Sequence, residues 1–188
     1  LLTAAEGDLV AAGTGPCTVT VGADPSYFLF PGVETTQTAM LCLLEGRHYQ
    51  RGEANFNMDV DLGALAADGG GAPGGSATGV VVADPSDADE VDGWMGAHWA
   101  NWRLEVLRAL EHGTLVIERD AEGISAFCAY DAIRGGLLGP VAVRPELIGK
   151  GAGVAVLLGA LHRIRAEGRA TVEVCWVGPI LPYARVGA

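Results

Sequence analysis

Apolar residues follow two rhythms along the second half of this chain, one near two residues and one near three and a half, with glycine and proline at the changes. Gly79-Val-Val-Val-Ala83 predicts a short strand, and Asp84-Pro85-Ser86-Asp87 predicts a turn that caps a helix. Helical spacing then runs to about Glu111 through Leu104, Leu107 and Leu110, carrying Trp94, Trp99 and Trp102, until His112-Gly113 closes it. Thr114–Glu118 and Ile124–Tyr130 read as a hairpin around residues 119–123, and the apolar run 137–143 reads as a further strand. Val154, Leu157, Leu158, Leu161 and Ile164 make one apolar helical face that Gly168 ends. Thr171–Val177 alternates as a half-buried strand does, and Gly178-Pro179 breaks it.

The front of the chain carries a fainter copy of this order. Leu1-Leu2 to Gly13, followed by Thr18-Val-Thr-Val21, matches Leu157-Leu158 to Gly168, followed by Thr171-Val-Glu-Val174. Residues 66–78 are dominated by glycine and alanine without periodicity and read as a linker, dividing a front piece, 1–65, from a rear piece, 79–188. The chain is therefore expected to begin inside a helix of a first domain represented only by its C-terminal part.

Composition narrows the function. With 49% hydrophobic residues over 188 positions, the chain can bury a core. A net charge of −11 argues against a nucleic-acid partner, which needs concentrated Lys and Arg. No apolar run reaches a membrane span and no basic segment leads into a signal core, so the expectation is no membrane partner and a cytoplasmic location. Cys17, Cys42, Cys128 and Cys175 stand apart in apolar surroundings and read as buried free thiols. His48, His98, His112 and His162 have no metal-ligand spacing, and no metal is expected.

The chemistry concentrates at Gly149-Lys150-Gly151-Ala152-Gly153, which joins a strand to a helix and contains the sole lysine. Such a turn aims unpaired N–H groups and the positive end of a helix dipole at one spot, as a phosphate site requires. A nucleoside-triphosphate loop needs Ser or Thr after the lysine, and Gly151 stands there. A dinucleotide loop needs a third glycine where Val154 stands, although Glu173 lies at the distance of an acidic ribose ligand.

A third pattern fits better. Val141-Ala-Val-Arg-Pro145, then Ile148-Gly149-Lys150-Gly151-Ala152-Gly153 and the helix after it, resembles the acetyl-CoA signature of the GNAT N-acetyltransferase superfamily. Tyr183-Ala-Arg-Val-Gly187 resembles that family's Y-x-x-x-G element, and the hairpin and tryptophan-bearing helices precede it in the family's order. Together with the front repeat, the whole resembles a tandem GNAT protein. The resemblance implies an α+β fold with a mixed sheet, with an incomplete, degenerate first domain and a nearly complete second one; the family adds two more strands after the tyrosine element, so it also implies a sheet edge left open, for which Phe56–Leu62 is the candidate cover unless residues are missing.

It also implies the partners: acetyl-CoA as cosubstrate and an amine acceptor of unidentified kind. The CoA pyrophosphate would lie on residues 148–153 and the pantetheine arm along Val141, Ala142 and Val143. Tyr183 would protonate the departing thiolate, against the alternative of a packed tyrosine. Glu173, with Asp131 as a second candidate, would be the base, against the alternative of a solvated carboxylate. Trp94, Trp99 and Trp102 would wall the acceptor pocket, against the alternative of a core stripe. Ile148 departs from the signature, which has Gln or Arg there, removing one donor to the pyrophosphate. Leu44 stands where the front repeat would need its tyrosine. The alternative function is a CoA-binding or scaffold module with weak or no turnover, and a nucleotide-binding domain is a third. The sequence leaves the oligomeric state open, a homodimer included.

Overall fold

The computed structural model describes residues 1–13, 15–16, 18–22, 32–65 and 79–186. The linker reading at 66–78, Cys17 and the Gly187 end of the tyrosine element lie outside them. Two units cluster separately, Leu1–Asp24 with Phe28–Arg51, and Gly52–Ala188 with Pro25–Tyr27. The first holds α1 (Leu2–Ala12) and α2 (Thr38–Gly46). Its α1 is bound to the segment after α2 through Glu6, which pairs with Arg47 and accepts from the Tyr49 hydroxyl at 2.8 Å. Residues 18–21, expected as the strand of the front repeat, form no strand. An extended segment needs a ladder partner for its N–H and C=O groups, and none faces it among the described residues.

The second unit holds one six-stranded sheet. Its elements are β1 (Phe56–Asp61), β2 (Val80–Val82), α3 (Ala88–His98), α4 (Arg103–Glu111), β3 (Leu115–Asp120), β4 (Gly123–Tyr130), β5 (Leu137–Val143), α5 (Ala152–Ala166), β6 (Thr171–Val177) and α6 (Ile180–Ala184). The strand order is β1-β6-β5-β4-β3-β2. Every neighbouring pair is antiparallel except β5 and β6, which are parallel and joined by the crossover helix α5, as a parallel pair requires. The fold is thus the expected α+β arrangement on a mixed sheet. Phe56–Asp61, from before the linker, does cover the edge of the rear sheet, paired along β6 from Phe56↔Val177 to Asp61↔Thr171.

Each face of the sheet has its own helical cover. Val156, Leu157, Leu161 and Ile164 of α5 bury against Ala126, Cys128, Leu138, Val172 and Val174. On the other side Val91, Met95, Val106 and Leu110 of α3 and α4 bury against Leu115, Ile117, Phe127 and Ala129. Strand β4 is consequently buried on both faces, and a register shift opposite Glu118 and Arg119 inserts Ser125 as an extra residue. That extra residue brings Ile124 and Phe127 to the same face, which strict alternation would forbid. A second shift between Phe56 and Met58 leaves one residue more on β6, with Trp176 at φ 52, and puts Val174 and Val177 in the same core.

Helix α5 comes close to the sheet because of a glycine inside it. A Cβ on Gly159 would lie 2.6 Å from Val80 Cγ1 and 3.3 Å from Val116 Cγ1. The single helical region expected up to Glu111 is two helices. Trp99, with φ −143 and ψ 50, ends α3, a short 3-10 turn spans Ala100–Trp102, and α4 begins at Arg103. Spacing does not report this break, because the apolar positions resume in phase on the far side.

Candidate functional site

The glycine turn lies between the end of β5 and the start of α5. Proline at 145 starts a short 3-10 turn, Pro145–Leu147, after which the Lys150 amide donates to the Leu147 carbonyl at 3.0 Å. Gly149 and Gly151 follow with φ 83 and 102, conformations that glycine adopts without strain. The Gly151 carbonyl accepts from the Val154 and Ala155 amides at 3.0 and 3.1 Å. The amides of Gly149, Gly151, Ala152 and Gly153 have no partner among the described residues, which leaves a cluster of donors at a helix start. Gly153 also lets the first turn of α5 sit against the strand, since a Cβ there would be 3.0 Å from Val143 Cγ2.

Two side chains of the turn are open to solvent. Ile148 is 64% exposed, so an apolar group stands where a donor was expected. Lys150 is exposed and takes part in no ion pair among the described residues. Arg144, by contrast, is buried and committed: it pairs with Asp120, and with Glu122 at 3.3 Å and Glu146 at 3.0 Å.

Beside the turn the sheet is split. The β5/β6 ladder consists of Leu137↔Glu173 and Leu138↔Val174, and stops there. Beyond it the β6-facing edge of β5 has no strand partner. The Arg144 amide donates to the Ser125 carbonyl at 2.8 Å, one step past the Val143↔Ala126 pair. In an antiparallel ladder that makes Val143 a non-hydrogen-bonded pair, whose own N–H and C=O point away from β4. Val141, two residues back and opposite Cys128, points the same way. Ala142 does not: its backbone groups face β4 and its side chain is buried on the α3/α4 side.

Tyr183, in α6, packs against the α5-side core, as Val141, Val143, Ala152 and Val154 also do. Burial, with a smaller contribution from the Cys128 thiol beside it, pushes its phenol up to about 12. Burial pushes the Cys128 thiol up as well. Tyr183 and the glycine turn thus share one side of the sheet, where the split opens.

Glu173 is elsewhere and occupied. It pairs with Arg134, accepts from Asn57 Nδ2 at 2.9 Å, and receives the Cys175 thiol at 3.4 Å. The Arg134 hydrogen bond is the main reason its carboxyl is held below its usual value. Asp131 is tied to Arg169 and to the Gly136 amide at 2.7 Å. Neither carboxylate is brought to Tyr183 by a hydrogen bond among the described residues. As for the thiols, Cys42 is exposed rather than buried, because α2 buries only Leu44. Cys128 is buried and Cys175 half-buried.

The three tryptophans part company. Trp94 meets Phe127 edge-on at 5.7 Å, inside the α3/α4-side core. Trp99 stacks on Trp102 at 5.3 Å and 15°, and its Nε1 donates to the Val143 carbonyl at 3.1 Å. That bond to the free edge of β5 had no signal in the sequence, since it depends on the helix break that turns Trp99 toward the sheet. Among the described residues no group of His, Cys, Asp and Glu could hold a metal ion, and no helix is long and apolar enough to cross a membrane.

No protein-family profile and no curated protein sequence matches the chain. Solved structures do. One is a GCN5-related glucosamine N-acetyltransferase region of a fungal multi-domain GH3 β-N-acetylglucosaminidase, with TM-score 0.69 and 17% identity over 85% of this chain and 23% of that one. Another is a GCN5-related N-acetyltransferase from Sphaerobacter thermophilus, with TM-score 0.56 and 17% identity over 82% of this chain and 53% of that one. The chain thus spans about a quarter and about half of these two proteins. What it shares with them is the fold.

Proposed function

We propose that this chain, built on the GCN5-related N-acetyltransferase fold, binds acetyl-CoA in the split between β5 and β6 and transfers the acetyl group to an amine. The observation that carries the proposal is the adjacency of two sets of backbone groups, free amides at the turn and a strand edge without a ladder partner. The turn at 149–153 offers free amides to a pyrophosphate, and the adjoining edge at Val141 and Val143 offers strand-like pairing to an amide-bearing arm. Lys150 and the helix start supply positive charge where Ile148 supplies none.

In the transfer, the amine nitrogen forms a bond to the thioester carbon and the carbon–sulfur bond breaks. The proton lost from nitrogen ends on the CoA sulfur. Tyr183 keeps its proton because burial raises it to about 12, so it is available to donate a hydrogen bond to sulfur as negative charge develops there. Glu173 would serve as base only after leaving Arg134, and an amine that arrives unprotonated needs no such step.

Titration calorimetry with acetyl-CoA, followed by assay of thiol release with a panel of amines, tests the reading. Micromolar binding that is abolished by Gly151→Trp, together with amine-dependent thiol release, is the expected result. Binding unaffected by Gly151→Trp would place the ligand elsewhere. Binding with no turnover on any amine would reduce the chain to a CoA-binding module, a reading that the engaged state of Glu173 favours.

A further inference from the structure

We propose that the main-chain carbonyl of Cys175 holds the attacking amine by one of its N–H groups, and that Glu173 orients this carbonyl through Asn57 instead of serving as a base. The inference rests on the acetyl-CoA reading above and names the acceptor of that site as a primary amine.

The carbonyl is set free by a proline. In the parallel ladder the Glu173 amide donates to the Gly136 carbonyl at 2.9 Å, with Glu173 opposite Leu137. Continued by two residues, that register would pair the Cys175 carbonyl with the amide of residue 140. Residue 140 is proline and has no N–H to give. The ladder accordingly ends at Leu138↔Val174, and the two strands part there. No backbone amide outside the ladders donates to the Cys175 carbonyl among the described residues.

Its direction is fixed from the other side. The Trp176 amide donates to Asn57 Oδ1 at 3.2 Å, toward β1. Across a trans peptide the N–H and C=O point opposite ways, so the Cys175 carbonyl points away from β1 and into the split. Asn57 is held in turn, since its Nδ2 donates to Glu173 Oε1 at 2.9 Å, and Glu173 pairs with Arg134. This chain of contacts accounts for two facts that a basic role leaves aside. Both carboxylate oxygens of Glu173 are engaged, and Trp176 takes φ 52 where β6 has its extra residue.

An arm that starts at the glycine turn and follows β5 through Val143 and Val141 runs toward the closed end of the split, which Cys175 faces. A primary amine there would donate one N–H to the carbonyl while its lone pair forms the bond to the thioester carbon. The carbon–sulfur bond breaks, the second proton of the nitrogen goes to the sulfur, and the first remains as the amide N–H of the product. The carbonyl dipole also favours the positive charge that the nitrogen carries during attack.

Cysteine is followed by tryptophan at one place in the sequence, residues 175–176. Protein labelled with 1-13C-cysteine and 15N-tryptophan therefore gives a single carbonyl signal bonded to 15N. In the full chain saturated with CoA, which has no acetyl group to transfer, an amine active in the thiol-release assay should move that signal downfield, as a new hydrogen bond to a carbonyl does. An unmoved signal at saturating amine overturns the proposal and leaves the acetyl-CoA reading standing.

Kinetics separate the positioning role of Glu173 from a basic one. Glu173→Gln keeps an oxygen for Asn57 and loses the charge, so kcat should stay within about five-fold of wild type, the scale of one hydrogen bond. Glu173→Ala keeps neither and should lower kcat by about ten- to a hundred-fold through misplacement of the amine, with KM for acetyl-CoA unchanged. Glu173→Gln as poor as Glu173→Ala would make the charge essential, as in a base, and overturn the proposal. Glu173→Ala as active as wild type would overturn it too. Absence of turnover by the wild-type chain on every amine overturns both this proposal and the transfer reading.

Discussion

A buried phenol and a half-buried, ion-paired carboxylate respond to their surroundings in opposite directions, and both responses can be measured. Burial and the neighbouring Cys128 raise Tyr183 to about 12, so the phenol stays protonated through the range in which amines become nucleophilic. Tyr183→Phe is expected to lower kcat by about 100-fold, the lower range for loss of a general acid, while KM for acetyl-CoA stays within about two-fold. In steady-state assays of the wild-type chain, no descending limb should appear below about pH 10, the ordinary value for a tyrosine. Asp131 behaves otherwise. Burial pushes its carboxyl up, but the Arg169 pair and the Gly136 amide outweigh burial and hold it below its usual value. A carboxylate lowered in the folded state stabilises the fold above its unfolded value of about 4, and that stabilisation is lost as pH falls through the folded value. Asp131→Asn should therefore destabilise the chain more at pH 7 than at pH 3 in urea titrations, and an equal effect at both would contradict the ion pair.

At the scale of elements, close approach of helix to sheet is what brings the turn, the free edge and Tyr183 together. Gly159→Ala would press a methyl group to 2.6 Å from Val80 Cγ1. Such overpacking costs about 1–3 kcal/mol, so the melting temperature should fall by several degrees. Val80→Ala removes the opposing methyl groups, and the double variant should lose less stability than the sum of the single losses, which a thermal double-mutant cycle would show. Much of this layer was legible in the sequence. The periods of two and three and a half identified β3 to β6, the hairpin and α5, because each buries a face whose partner is near in the chain. The glycine turn was legible because only positive-φ residues make it. The Trp99 bond, the break before α4 and the register shifts of the sheet were not, since each depends on which residue a neighbouring element happens to meet. Residues 18–21 show the converse: they read as a strand, but among the described residues nothing faces them to pair with.

At the scale of the whole unit, the sheet is completed from a distance. β1 pairs with β6 across more than a hundred residues, a pairing that local periodicity could suggest only as cover for an open edge. Its contribution is mostly apolar: Val60 and Leu62 are fully buried and Leu65 nearly so, in the core that α5 shares with β6. The segment is also tied by hydrogen bonds, from the Leu62 amide to the Ala170 carbonyl at 2.9 Å and from Arg165 to the Leu65 carbonyl at 2.7 Å. A chain starting at Gly79 would leave β6 as an open edge and expose the surface that these three side chains cover. At about 1.5–3 kcal/mol for each buried side chain, the loss is comparable to the whole stability of an ordinary domain. Residues 79–188 alone should therefore aggregate or melt far below residues 52–188, whereas 52–188 should retain a cooperative transition. Val60→Asp in the full chain, which keeps the backbone pairing and puts a charge in the core, should lower the melting temperature by more than 10 °C. If residues 79–188 melted as high as 52–188, the strand would be an ornament on the sheet, and the cleft beside β6 would need no help from the front of the chain.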